Sequence, residues 1–198
     1  MNKNLKSRNL IDIKVKKTKG NRPLDEKNMR YRDLNVYRKN TIQDHHLKST
    51  KGIFGNMPIF SDIEFSLCGL CNRTCVFCPR ANPKIYPNKK EYISIKLFSK
   101  ILNELADYKY SGLISLSGFS EPFMHKKLFK LVELTKEKLP KSRLEITTNG
   151  DMLNIEKIRK LYKLKLTSIL VSMYDGPHQI TFFEKMIKKA NVGNKFVI

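Results

Sequence analysis

The run Cys68-Gly-Leu-Cys-Asn-Arg-Thr-Cys-Val-Phe-Cys-Pro-Arg80 holds all four cysteines of a 198-residue chain. Three of them, Cys71, Cys75 and Cys78, stand four and three residues apart, directly after an apolar stretch, Ile59 to Leu67, that reads as a strand. Thiolates so close together on one tight loop converge on one small object, which in proteins is usually zinc or an iron-sulfur cluster. A structural zinc wants a second ligand pair on a distant segment, and no cysteine follows Cys78. A four-iron cubane held by three thiolates fits better, and it leaves one iron open to an outside ligand. Cys68 reads as a small buried residue closing the strand rather than as a ligand.

Outward from this loop the chain changes character on its two sides. Residues 1–58 carry Lys14, Lys16, Lys17, Lys19, Arg22, Lys27, Arg30 and Arg32 with few large apolar residues in register, and read as a basic, largely irregular arm. Tyr31 and Tyr37 within it would suit stacking on nucleic acid, although tyrosines among lysines are more often ordinary surface. Lysine and arginine total 39 against 18 acids, a formal net charge of +21. Such a balance attracts nucleic acid, acidic peptides or anionic surfaces. The lysines are nevertheless scattered over every predicted helix, which gives attraction without a defined site. No apolar run approaches the roughly 20 residues of a membrane span, and no apolar h-region follows the first residues. A labile metal loop without a spare cysteine pair points to a reducing, cytoplasmic setting.

Residues 59–198 read as the core, in which strand and helix patterns alternate. Strands are expected over Leu113–Ser117, Leu144–Thr148 and Ser168–Ser172, with a further one beginning at Phe196. Between them, apolar residues recur at helical spacing: Ile95, Phe98, Ile101, Leu102 and Leu105 behind a Ser94 cap; Leu128, Leu131 and Val132; Ile155, Ile158 and Leu161 behind an Asn154 cap; Ile180, Phe183, Ile187 and Ala190. Short strands alternating with helices predict an α/β fold, a parallel sheet with helical crossovers. Ligands of such sheets gather at the carboxyl ends of the strands. The distinctive loops all fall there: the cysteines, Ser117-Gly-Phe-Ser-Glu-Pro122, Thr147-Thr-Asn-Gly150 and Ser172-Met-Tyr-Asp-Gly176.

Cys71-Asn-Arg-Thr-Cys75-Val-Phe77-Cys78, with an aromatic residue before its last cysteine, resembles the radical S-adenosylmethionine (SAM) superfamily. The resemblance implies a partial TIM-like barrel, of which this chain would supply four to five strand-helix units after its basic arm. It implies that Cys71, Cys75 and Cys78 hold a 4Fe-4S cluster and that SAM chelates the open iron. Reductive cleavage of SAM would then give a 5′-deoxyadenosyl radical that abstracts hydrogen from a substrate. Gly118-Phe-Ser-Glu-Pro122 resembles the family's Gly-Gly-Glu-Pro element, with Glu121 meeting the SAM amine and Ser120 standing where glycine is usual. A positive φ at Ser120 would strain it. By the same resemblance Thr148 lies near SAM, Ser172 touches the ribose and Phe77 sits against the adenine. Arg80, just past the cluster, could hold an anion or a carboxylate. His125 and His178 each begin a helix and read as first-turn surface residues.

The motif looks most like the branch that acts on peptides or proteins, with small molecules as the other substrate class and flavodoxin or ferredoxin as electron donor. A chain stopping in its fifth unit is expected to need a partner chain or its own arm to cover the sheet edge, or to be an inactive truncated homologue. Two other readings remain. A ferredoxin-like electron-transfer module would recruit Cys68 as fourth ligand, and a basic nucleic-acid-binding protein would use the cysteines for a structural metal.

Overall fold

Each apolar stretch that the sequence marks as a strand of the core pairs with the next one along the chain. The computed structural model describes residues 60–192 and Phe196, together with the backbone of β1 (Ile53–Phe54) and β2 (Met57–Pro58), which pair antiparallel. The rest of the basic arm expected over 1–58 lies outside the described residues. The core sheet has four parallel strands in the order β3 (Asp62–Phe65), β4 (Leu113–Leu116), β5 (Arg143–Thr148) and β6 (Ser168–Val171). Purely sequential order of parallel strands is what a (β/α) barrel wall has. Four helices follow the strands: α1 (Ile95–Asp107), α2 (Leu128–Lys138), α3 (Ile155–Lys163) and α4 (His178–Ala190). The expected α/β architecture is the one observed. Beyond β6, the Ile169 amide donates to Phe196 O at 2.7 Å, where the fifth strand was expected; residues 197 and 198 lie outside the described residues.

Alternation along the strands sorts the two faces of the sheet. Phe65, Ile114, Leu116, Leu144, Ile146, Ile169 and Val171 share the core with Phe98, Leu102, Leu131, Val132, Ile158, Leu161 and Phe183 from the helices. On the other face, Glu64, Ser115, Glu145 and Ser168 stand in register across all four strands. Ser168 Oγ donates to Glu145 Oε2 at 2.8 Å, and the Ser117 hydroxyl donates to Glu64. The helices begin where the sequence places them. Ser94 accepts from the Leu97 amide at 3.1 Å and Asn154 from the Lys157 amide at 2.9 Å, each satisfying one of the unpaired first-turn donors. Among the described residues no helix is long and apolar enough to cross a membrane.

The strand expected over residues 59–67 is shorter, because the chain leaves the sheet after Phe65 to build a stem. The Ile93 amide donates to Leu67 O, Gly69 N to Glu91 O and Lys89 N to Gly69 O, each at 2.9 Å, and Cys68 forms a bridge with Tyr92. This antiparallel stem closes residues 70–88 into a loop set at the carboxyl end of β3. The stretch from Ala81 to Tyr92, which reads as a plain connection, is therefore the loop's return arm.

Candidate functional site

The four cysteines carry free thiols; Cys68 is buried in the stem, and Cys71, Cys75 and Cys78 are half-buried on the loop. Cys68 Sγ lies 3.6 Å from Leu70 O and 3.7 Å from Glu121 O, so its weak donor faces backbone carbonyls. Burial pushes the Cys68 and Cys71 thiols up, while the Arg80 guanidinium pulls both down and Glu121 opposes it. The loop's last cysteine sits on a tight turn, with Cys78 N donating to Cys75 O at 2.9 Å, and Pro79 then starts a 3₁₀ turn over Pro79–Ala81. Val76 and Phe77 at the tip are exposed.

Glu121 is 1% exposed, and its position follows from Pro122 behind it, which holds its backbone extended (φ −97°, ψ 112°). Its amide donates to Leu70 O at 2.9 Å, tying the end of β4 to the start of the cysteine loop. Its carboxylate accepts from the Phe123 amide at 3.1 Å, the Thr148 hydroxyl at 2.8 Å and the Asn149 amide at 3.0 Å. Burial raises its pKa, and these three donors pull the other way. Thr148 uses its hydroxyl twice, donating to Glu121 and accepting from the Gly150 amide at 3.1 Å. The strain feared at Ser120 does not arise: the positive φ of this loop belongs to Gly118, at 86°, and Ser120 is not among the residues that have one. Serine is accommodated there, its hydroxyl donating to Ser117 O at 3.3 Å.

Several residues that the sequence reading passed over join these loops. Asn149, within the Thr147-Thr-Asn-Gly150 loop, donates from Nδ2 to Asn72 Oδ1 at 2.8 Å and lies 3.9 Å from Cys71 Sγ. Its Oδ1 accepts from the Asp151 amide at 3.0 Å, the side-chain turn that lets Gly150 take φ 82°. Arg73, inside the motif, forks onto two carboxylates: Asp151 after β5, at 2.5 and 2.6 Å, and Asp175 after β6, at 2.6 and 2.8 Å. Arg73 holds both aspartates below the usual carboxylate range. Asn88, on the return arm, accepts from the Cys71 amide at 2.9 Å and donates to Cys71 O at 3.1 Å. The sequence shows Gly150 and the acids Asp151 and Asp175 after the strands that become β5 and β6; nothing in it marks Asn88.

The remaining expected residues spread around this centre. Phe77 packs against Tyr174, ring centroids 5.1 Å apart, and the Arg73 guanidinium lies 5.9 Å from the Tyr174 centroid. Ser172 is half-buried at the end of β6, its amide donating to Thr148 O at 2.8 Å. His125 is not the surface residue expected. It is buried, its ring accepts from the Lys127 amide at 3.1 Å and lies 3.2 Å from Ile93 O, and it packs edge-on to Tyr92. A neutral ring satisfies both contacts, and burial lowers its pKa accordingly. His178 is exposed.

The loops at the ends of β3, β4, β5 and β6 are thus laced together around three thiols, and the profile of the radical SAM superfamily matches residues 65–195. The chain belongs to the radical SAM superfamily. An S-adenosyl-L-methionine-dependent 2-deoxy-scyllo-inosamine dehydrogenase from Niallia circulans is 32% identical over 120 residues, 60% of this chain and 46% of the relative. This radical SAM chain therefore spans about half the length of the curated relative it matches. Among solved structures, BtrN in complex with AdoMet and 2-DOIA aligns at a TM-score of 0.61 and 26% identity, over 71% of this chain and 56% of that one. Selenomethionine BtrN in an open conformation aligns at 0.53 and 29% identity, over 61% and 53%. Radical SAM enzymes use a 4Fe-4S cluster together with SAM.

The donor set suits that cluster. Among the described residues no three His, Cys, Asp or Glu side chains converge closely enough to hold a single metal ion. A mononuclear tetrahedral zinc would need such convergence. A cubane spreads its thiolates over separate irons, so three free, half-buried thiols on one braced loop fit it, with Cys68 turned toward carbonyls.

Proposed function

We propose that Cys71, Cys75 and Cys78 hold a 4Fe-4S cluster, that SAM sits against the ends of β4, β5 and β6, and that the site removes a hydrogen atom from an organic substrate. The observation that supports this most is Asn149, which links the Cys71 thiol, the motif residue Asn72 and the buried Glu121 carboxylate. Cluster and SAM, when both are bound, supply one-electron cleavage of the SAM C5′–S bond and a carbon-centred radical.

The chain's residues bind and orient. A carboxylate offers about four acceptor positions, and Glu121 spends three on protein donors, leaving one for the methionine ammonium of SAM. A cation there offsets the burial that disfavours the ionised form. Thr148 acts through Glu121, fixing its carboxylate rather than reaching the cofactor itself. Gly118 and Ser120 present the backbone of the same loop with little side-chain bulk. Phe77, exposed beside Tyr174, offers an aromatic surface to the adenine, and Ser172 a hydroxyl to the ribose. An external flavodoxin or ferredoxin would deliver the electron, in a cytoplasmic setting. The basic arm over 1–58 and the core over 59–198 would be separate parts of the chain, and a partner chain would cover the sheet beyond β6.

For the substrate, the likeness to the dehydrogenase supports a hydroxylated small molecule, from whose carbinol carbon the hydrogen atom would be taken. The form of the cysteine motif supports a peptide or protein, without a matching observation in the fold. Anaerobically reconstituted protein, given SAM and dithionite, should release 5′-deoxyadenosine, and a Cys75→Ala variant should release none. Protein loaded with its cluster that yields no 5′-deoxyadenosine would overturn the proposal.

A further inference from the structure

Arg80 is 3% exposed, yet among the described residues no carboxylate lies within ion-pair reach of it. Its Nε donates to Phe119 O, on the loop after β4, and its Nη1 to Asn88 Oδ1 at 2.8 Å. The guanidinium lies 4.7 Å from the Tyr86 ring centroid. Nη2 is buried and has no hydrogen-bond partner. Taking a charge out of water without a counter-charge is costly, and a buried donor left open in an otherwise well-bonded site calls for an ion or group that belongs there.

The surroundings indicate the counter-charge. Arg80 follows Cys78 by two residues. Through Asn88, whose amide group pairs with both the N–H and the C=O of Cys71, it is also tied to the loop's first cysteine. One guanidinium thus braces both ends of the thiolate loop. Three thiolates and a four-iron cubane together carry net negative charge, and one-electron reduction adds another unit. A cation fixed in a site of low dielectric favours the more negative form.

We infer that Arg80 is the buried counter-charge of the cluster, a positioning residue that raises its reduction potential and holds the Cys71 end of the loop through Asn88. The inference rests on the cysteines carrying a cluster. Because Arg80 would act on the cluster itself, its effect should be present before SAM binds.

The test is an EPR-monitored redox titration, with dithionite as reductant and no SAM, on reconstituted wild type, Arg80→Lys and Arg80→Gln, alongside iron content and SAM affinity. The expected result is a lower midpoint potential for Arg80→Gln, a potential near wild type for Arg80→Lys, and SAM affinity changed less than about threefold in both. An unchanged potential in Arg80→Gln with SAM affinity down tenfold or more would overturn the inference and assign Nη2 to the SAM carboxylate. If Arg80→Gln fails to load iron, Arg80→Lys decides: normal loading and potential support the inference, while failure or a lowered potential overturns it. Wild-type protein that takes up no four-iron cluster would instead sink the underlying assignment of the cysteines.

Discussion

Arg73 shows how much one side chain inside a short motif can carry. It reaches two aspartates on two different strand-end loops, and its hydrogen bonds depress the pKa of both. An acid whose pKa is lower folded than unfolded contributes stability above its unfolded value, and that contribution disappears as pH falls through the folded value. The stability gap between wild type and Arg73→Ala should therefore be constant from neutral pH down to the ordinary carboxylate value of about 3.9 and close below it. Urea melts of both proteins at stepped pH measure this; a gap that widens on acidification would contradict the clamp. Glu121 has the opposite sign, its pKa raised chiefly by burial, so its ionised form weighs against folding until a cation arrives. Two carboxylate environments so different within one site follow from position: Asp175 and Asp151 stand at the rim beside a guanidinium, Glu121 beneath the loops.

Elements were more legible in the sequence than contacts were. The helical spacing of Ile158 and Leu161 behind Asn154 located α3, and the cap that it implied is present. Replacing Asn154 with alanine should cost about 1 kcal/mol, the usual value of a lost N-cap. Leu161→Ala, which empties a fully buried position under the sheet, should cost about 2–5 kcal/mol. Chemical denaturation orders the two; equal losses would mean that α3 does not seal the core as described. Apolar periodicity reveals such elements because burial selects residue type along the chain itself. It could not reveal the stem that pairs residues 67–69 with 89–93, since those bonds are made by backbone and leave no mark on side-chain pattern. For the same reason Asn88 was invisible: its value lies in meeting Cys71 across a loop. The strain that a positive φ would bring to Ser120 does not arise, because the positive φ of that loop belongs to Gly118.

At the scale of the molecule, the order of strands decides where the chemistry sits. Parallel sequential strands place every strand-end loop on one side, so a cysteine loop after β3 meets Glu121, Asn149 and Asp175 without any long excursion. That convergence was legible because the loaded loops fell at successive strand ends. The polar row of Glu64, Ser115, Glu145 and Ser168 was not, because a buried strand with one polar face reads as a mostly apolar run. Among the loops of the site the formal charge of +21 meets carboxylates only at Arg73, while Arg80 keeps a buried, unpartnered Nη2. What separates a SAM-cleaving centre from an electron-transfer module is the open iron. The most direct measurement is the EPR spectrum of the reduced, reconstituted protein before and after addition of SAM, in wild type and Cys68→Ser. A four-iron signal that changes with SAM and survives Cys68→Ser is the predicted result. A signal indifferent to SAM, or lost with Cys68, would contradict the account.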